Sequence, residues 1–194
     1  MSDDATTAAP AEAGYESDAA HPWRRWFARQ IDFTLIGLAW TWALGPPAAV
    51  TGGLGQSFTE TTLQGIAFTA VGCALVAASL ARWGTTPGKR LLGVELRGAG
   101  GARLDAKGAL RRELHVFARA LCAGIPIATL VTQAMAYAQV KAQGRTVYDT
   151  SLGSEVRFRR RDAGQWALAI AVMLALACVE MLLLLRAVGT ALLD

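Results

Sequence analysis

Charge is distributed along this chain in blocks, and three long blocks hold almost none. Residues 33–59 and 61–81 contain no Asp, Glu, Lys or Arg, and residues 165–185 contain only Glu180. A hydrocarbon core about 30 Å thick is crossed by roughly 20 apolar residues in a helix. Residues 31–50, 65–83 and 166–185 meet that length, so the pattern predicts a polytopic membrane protein with at least three hydrophobic helices. The hydrophobic share of 53 % would not distinguish such a chain from a soluble domain. The clustering does.

The blocks between the apolar runs predict which side each faces. The formal charge of +4 hides a split, because residues 1–22 carry Asp3, Asp4, Glu12, Glu16 and Asp18 and no Lys or Arg. Residues 1–21 are too polar to bury much apolar surface and read as a disordered acidic tail. They lack the basic start and apolar core of a signal peptide. His21-Pro22-Trp23-Arg24-Arg25-Trp26-Phe27 suits a membrane interface, with Pro22 opening a helix, tryptophans at headgroup level and arginines on the cytoplasmic leaflet. Pro46-Pro47 ends that helix. Residues 48–60 carry no Lys or Arg and are expected outside. From 82 to 112 there are eight basic residues against Glu95 and Asp105, which places that segment inside. Within it, residues 92–97 read as a short strand, 98–101 as a turn before 102–105, and 155–159 as a second strand, the pieces pairing into a small sheet. The basic runs lack interleaved aromatic residues, so nucleic acid is not an expected partner.

Residues 114–140 are apolar enough to span but are broken by Gly124 and Pro126. A crossing here would put Lys141, Arg145, Arg157, Arg159, Arg160 and Arg161 outside, against the positive-inside rule. Folding back at 124–126 gives two arms of roughly 17–20 Å that enter without crossing, and the re-entrant reading is preferred. The final helix, 165–188, then leaves the C-terminus outside.

Few groups stand out against the apolar background. Asp32 lies one turn past Arg29 and two turns past Arg25. Arg25 and Asp32 share a stripe about 10 Å apart, too far for an easy pair, whereas Arg29 at i−3 is in reach. A local Arg29–Asp32 bridge is one reading; a third polar partner between Arg25 and Asp32 is the other. Glu180, roughly 21 Å into the last helix, is the deepest ionisable residue. It is read either as a structural group bonded to a neighbouring helix or as a proton or ion relay. Ala70, Ala74 and Ala78 form a small-residue stripe for helix packing, within one subunit or between two. Gly84-Thr-Thr-Pro-Gly-Lys-Arg fails as a phosphate loop, with three residues between its glycines and Arg90 after the lysine. Cys73, Cys122 and Cys178 sit in apolar stretches, and His21 and His115 stand alone. No metal, cofactor or disulfide is expected, and no catalytic set indicates an enzyme.

These pieces resemble the RDD family of bacterial membrane proteins. Arg25-Trp-Phe-Ala-Arg-Gln-Ile-Asp32 is similar to the family's opening Arg-x-x-Ala-x-x-Ile-Asp. Gly84-Thr-Thr-Pro-Gly-Lys resembles its Gly-x-Thr-x-Gly-Lys segment, Ala109-Leu-Arg-Arg112-Glu its following arginine, and Gly144-Arg-Thr-Val-Tyr148-Asp149-Thr-Ser-Leu-Gly153 its closing Arg-x-Thr-x-His-Asp-x-x-x-Gly. The one Arg and two Asp of the family name fall on Arg25, Asp32 and Asp149, which the resemblance implies form a polar cluster. Tyr148 replaces the usual His, and the helix after 163 extends beyond the family's core.

The resemblance and the residues together predict an all-α membrane protein, a bundle of three to four transmembrane or re-entrant helices with a small cytoplasmic β element. Its parts are an acidic tail (1–21), an RDD-like membrane domain (22–160) and an additional C-terminal transmembrane helix (161–194). The expected location is the bacterial inner membrane, multi-pass with the N-terminus cytoplasmic. Membrane lipids are the expected partners, and a homo-oligomer is one arrangement open to it. For activity, the resemblance implies ion or small-solute transport; the alternative is a non-transporting adaptor whose basic cytoplasmic face binds lipid or a protein.

Overall fold

The structure is a computed structural model that describes residues 15–16, 21–44, 58–98 and 101–191. It is mostly helical. Helix α1 (Pro22–Leu44) is followed by α2 (Phe58–Trp83), the short α3 (Pro87–Leu91), strand β1 (Val94–Arg97), α4 (Ala106–Arg119), a 3-10 turn (Cys122–Gly124), α5 (Pro126–Gln143), the short α6 (Val147–Ser151), strand β2 (Glu155–Phe158) and α7 (Ala163–Ala191). Among the described residues, two stretches are long and apolar enough to cross a membrane, Thr59–Trp83 in α2 and Ala163–Leu183 in α7. The first expected span is only partly covered. Helix α1 spends its first three turns on Arg24, Arg25, Arg29 and Asp32, and residues 45–50 of that span lie outside the described residues.

Helix α4 runs antiparallel to α2. Leu80 packs with Ala109 near the start of α4, Cys73 packs with Val116, Ala120 and Leu121, and a Cβ on Gly124 would collide with Gly65 and Thr69. From residue 80 back to 65 is about 22 Å of helix, which is how far α4 and its turn climb. The chain then reverses. Leu121 and Gly124 flank a turn in which Cys122 and Ala123 both take positive φ. Hydroxyls of α5 donate to carbonyls at the break: Thr132 Oγ1 to that of Ala120 at 2.8 Å and Thr129 Oγ1 to that of Leu121 at 2.5 Å. Both ends of the hairpin meet, since Arg112 in α4 bonds Asp149 just beyond α5 at 3.2 Å. The α4–α5 segment therefore returns to the level at which it started.

Strands β1 and β2 pair antiparallel, with Val94 opposite Phe158 and Arg97 opposite Glu155. Residues 102–105 lead into α4, where Asp105 caps the helix by accepting from the Gly108 N–H at 2.8 Å. Tyr15 and Glu16, from the segment read as a disordered tail, sit beside β2, the Glu16 N–H donating to the Phe158 carbonyl at 2.8 Å. The stripe of Ala70, Ala74 and Ala78 is exposed. Helix α2 packs inward through Cys73, Val76, Ala77 and Leu80 instead, the face that meets α4 and β1. Helix α7 rests on α1 through Trp166, Ala169, Met173 and Leu176, and most of its other apolar side chains are exposed.

One backbone unit occurs twice. Helix α2 ends at Gly84 with φ +71°, Thr86 caps α3, and Leu92-Gly93 (φ +63°) leads into β1. Helix α5 ends at Gly144 with φ +71°, Thr146 caps α6, and Leu152-Gly153 (φ +59°) leads into β2. Both terminal glycines take the left-handed conformation that closes a helix, their N–H groups bonding Leu80 and Val140 carbonyls at 2.8 Å.

Candidate functional site

The base of this assembly gathers seven charged side chains: Arg25, Arg29 and Asp32 of α1, Lys89 of α3, Arg112 and Glu113 of α4, and Asp149 of α6. Helix α4 shows how charge comes to be buried. Its inward stripe is Ala109, Arg112, Glu113 and Val116, the spacing of one helical face, so the packing surface itself carries an ion pair. Among the most buried polar residues are Asp149 and Glu113, each 1 % exposed, and Asp32 at 3 %. Charges this deep persist only when their partners are close and their lone pairs filled.

Each carboxylate is filled in its own way. Asp32 accepts from the Gly88 N–H at 2.7 Å and from Thr86 Oγ1 at 2.5 Å, with Lys89 Nζ 3.8 Å away. It sits over the first turn of α3, where open N–H groups favour a negative charge. Glu113 receives both arms of the Arg29 fork, at 2.8 and 3.1 Å, and Arg112 at 2.8 Å. Asp149 is bonded by Arg25, by Arg112 at 3.2 Å, by Thr146 Oγ1 at 2.7 Å and by Ser154 Oγ at 3.2 Å. Arg112 thus bridges Glu113 and Asp149, and a continuous line runs Arg25–Asp149–Arg112–Glu113–Arg29.

Burial pushes the Lys89 ammonium down to about 8, and the attraction of Glu113 and Asp32 only partly opposes it. Burial acts on Glu113 in the upward sense, but Arg29, Arg112 and Lys89 outweigh it and hold the carboxyl at about 2. Lys89 therefore changes charge closer to neutral pH than Glu113 does. Beside the cluster, between α1 and α5, lies an open cavity of about 80 Å³ bordered by Arg25, Arg29, Gln30, Gln133, Tyr137 and Thr146.

A second buried arginine ties the sheet to α1. Arg24 donates to the Leu92 carbonyl at 2.8 and 3.0 Å, to the Arg159 carbonyl at 2.8 Å, and to Glu16 at 2.9 and 3.0 Å. Its guanidinium lies between the rings of Phe158 and Trp166, 5.1 and 5.2 Å from their centroids. It joins the chain before β1 to the chain after β2, and both to the helix that carries the cluster.

The structure brings Arg25 and Asp149 together and holds Asp32 in the same cluster through α3. Arg29 and Asp32, read as a local bridge, take separate tertiary partners. Glu180 stands apart on α7, exposed, its carboxylate accepting from Thr34 Oγ1 of α1 at 2.8 Å. Lys89, Glu113, Thr86, Thr146 and Arg24 escaped the reading by residue type. Two signals pointed to all of these but Arg24: the i, i+3, i+4, i+7 stripe of α4, and the shared spacing Gly-x-Thr-x5-Leu-Gly at 84–93 and 144–153.

No curated protein and no solved structure matches the chain. One family does, over residues 19–153, a stretch that runs from just before α1 to Gly153 and takes in every member of the charge cluster. With its apolar helices and that match over most of its length, the chain belongs to the RDD family of membrane-associated proteins.

Proposed function

We propose that this chain is a multi-pass protein of the bacterial inner membrane that takes part in ion or small-solute transport. Helices α1, α2 and α7 cross, the N-terminus is cytoplasmic, and the α4–α5 hairpin enters from the cytoplasmic side without crossing. The observation that carries the transport reading is the pairing of that hairpin with the charge cluster at its base. Broken helices at membrane depth persist where they are buried in protein or line a path, and they are a recurring part of carriers. Here the break at 122–124 packs against Gly65 and Thr69, while Lys89, the group that changes charge near pH 8, stands where the hairpin opens. A buried lysine opposed by Asp32 and Glu113 can exchange its proton for another cation at modest cost.

Purified full-length protein in liposomes tests this directly. An imposed pH gradient or cation gradient should dissipate faster than in empty liposomes, and Lys89→Met should remove the acceleration. Protein-containing vesicles as tight as empty ones, across alkali cations and protons, would overturn transport. For the fold in the membrane, a cysteine at position 150 in a cysteine-free background should resist labelling from outside. External labelling there would mean that α4–α5 crosses.

One observation favours a second reading, a non-transporting adaptor. Lys107, Arg111, Lys141, Arg145, Arg159 and Arg160 are exposed, and their positions at the start of α4, the end of α5 and the chain after β2 suggest a basic face. Such a face attracts anionic lipid or an acidic protein partner. Tight vesicles combined with salt-sensitive binding to anionic membranes would favour it.

A further inference from the structure

We propose that the cavity between α1 and α5 binds the phosphate of an anionic ligand, with Arg25 and Arg29 as its charged wall. The cluster holds four cations (Arg25, Arg29, Lys89, Arg112) against three carboxylates (Asp32, Glu113, Asp149), one positive charge in excess. The excess has a direction. The side chains of Asp149, Glu113 and Asp32 are only 2, 1 and 3 % exposed, whereas Arg25 and Arg29 keep 13 and 16 % of theirs accessible. Both arginines border the cavity, while their carboxylate partners Asp149 and Glu113 are more deeply buried. A planar guanidinium presents donors in the geometry that phosphate oxygens accept, and it keeps its charge at any relevant pH.

The rest of the lining fits the same chemistry. No carboxylate is among its residues. Gln30, Gln133 and Tyr137 supply neutral donors. Trp26 Nε1 donates to Gln133 Oε1 at 2.7 Å, which occupies the acceptor of that amide and leaves its NH2 group to donate. The remaining border, with Val116, Leu121 and Val140, is apolar and suits the carbon skeleton attached to a phosphate. Trp23, Trp26 and Phe27 are exposed on the same end of α1, as side chains at the headgroup level of a bilayer are. A phospholipid headgroup is thus one source of the phosphate and a soluble phosphate the other. The lipid source rests on the membrane placement proposed above. The site itself does not rest on transport.

Thermal unfolding of the full-length protein in detergent tests the site, with two phosphate sources, each set against a phosphate-free control. Dioleoylphosphatidylglycerol is compared with dioleoylglycerol, which has the same chains and no phosphate, and sodium phosphate is compared with sodium chloride at equal ionic strength. Stabilisation by phosphatidylglycerol alone assigns the site to a lipid; stabilisation by inorganic phosphate assigns it to the phosphate group itself. Gln30→Glu and Gln133→Glu are near-isosteric changes that put a negative charge in the cavity and spare every ion pair of the cluster. Glu at 133 can still accept from Trp26, and each variant's response is read against the same variant without additive. Each should weaken the response by roughly tenfold or more. No stabilisation by either phosphate source, equal stabilisation by the phosphate-free controls, or an undiminished response in both variants overturns the proposal. No gradient enters this measurement, so it can fail while transport stands, and a protein inert in flux can still pass it.

Discussion

In the unit that runs from Gly84 to Arg97, the third residue after the capping threonine is Lys89; in the unit from Gly144 to Phe158 it is Asp149. The backbone around the two positions is alike: a left-handed glycine, a threonine cap, five helical residues, Leu-Gly, and a strand that pairs with its counterpart. The charges are opposite, and helix α1 answers each with its complement. Asp32 faces Lys89, and Arg25, two turns earlier on the same stripe, faces Asp149. The spacing of Arg25 and Asp32, too long for a direct bond, follows from their serving different copies of the unit. The two pairs also differ in kind. A lysine can relieve a lost partner by releasing its proton, whereas an arginine cannot. The copy built around Lys89 is the adjustable one, and the copy built around Asp149 is fixed.

The largest effect should come from the fixed copy. Asp149→Ala leaves Arg25 and Arg112 buried without their shared carboxylate and should cost about 3–5 kcal/mol in unfolding of the detergent-solubilised protein. Asp32→Ala removes bonds to Gly88 and Thr86 but leaves a lysine that can turn neutral, so about 1–3 kcal/mol is expected. Equal losses would break the distinction between the copies. Within the fixed copy, Arg25→Ala and Asp149→Ala combined should cost clearly less than the sum of the two. Strict additivity would mean that no coupling joins them.

The adjustable copy should show itself in pH dependence. Lys89 titrates at about 8 when folded, against an ordinary 10.5. Between those values the unfolded chain still holds the proton and the folded one has released it, so stability rises with pH across the window. At about 1.4 kcal/mol per pH unit of displacement, the rise amounts to about 3 kcal/mol. Lys89→Met should lose it, which paired unfolding curves at pH 8 and 10.5 would reveal. Glu113 acts at the other end of the scale. Its carboxyl is held at about 2 against 4.5, so its contribution is complete above 4.5 and lost as pH falls toward 2. Glu113→Gln should flatten that acid limb.

A smaller steric difference separates the copies at the residue before Lys89. A Cβ on Gly88 would collide with the Ala28 carbonyl of α1 and come within 3.0 Å of Asp32 Oδ1. The second copy has Tyr148 at this position. Overpacking of Gly88→Ala should cost about 1–3 kcal/mol. It should also raise the sensitivity of the protein to loss of Asp32, since both act at the α1–α3 crossing. A neutral Gly88→Ala would show that α1 and α3 can separate without penalty.

The helices and the hairpin were readable because they rest on blocks of charge and on Gly124 and Pro126, which act locally. The two strands were readable for the same reason, from short alternating runs at 92–97 and 155–159. The cluster was readable only in part. Arg25, Asp32 and Asp149 came from a family pattern, while the partners that neutralise them lie up to 124 residues away in sequence. Arg29 illustrates the difficulty: helical spacing offered Asp32 one turn on, but tertiary packing supplied Glu113 with better geometry for a two-armed bond. Lys89 looked like one more cation of a basic loop, because nothing local signals that its ammonium is buried. The stripe of Ala70, Ala74 and Ala78 does not serve packing within the chain, since small residues allow close packing without requiring it.

The gentlest comparison concerns the two glycines that open the units. Gly84 and Gly144 share φ +71°, where a Cβ is disfavoured by roughly 1–2 kcal/mol. An alanine at 144 would meet nothing within 4 Å, so Gly144→Ala isolates that backbone cost. At Gly84 the new Cβ would come within 2.9 Å of Arg103 Nε, the far end of a flexible side chain that can move aside. Unfolding of the detergent-solubilised variants should therefore show a loss of about 1 kcal/mol at 144 and only slightly more at 84. Alanine also restricts the unfolded chain, which recovers a few tenths of that loss equally at both sites. A stabilised Gly144→Ala would mean that the second unit does not need its left-handed turn. The likeness of the two copies would then be confined to the threonine cap and the strand.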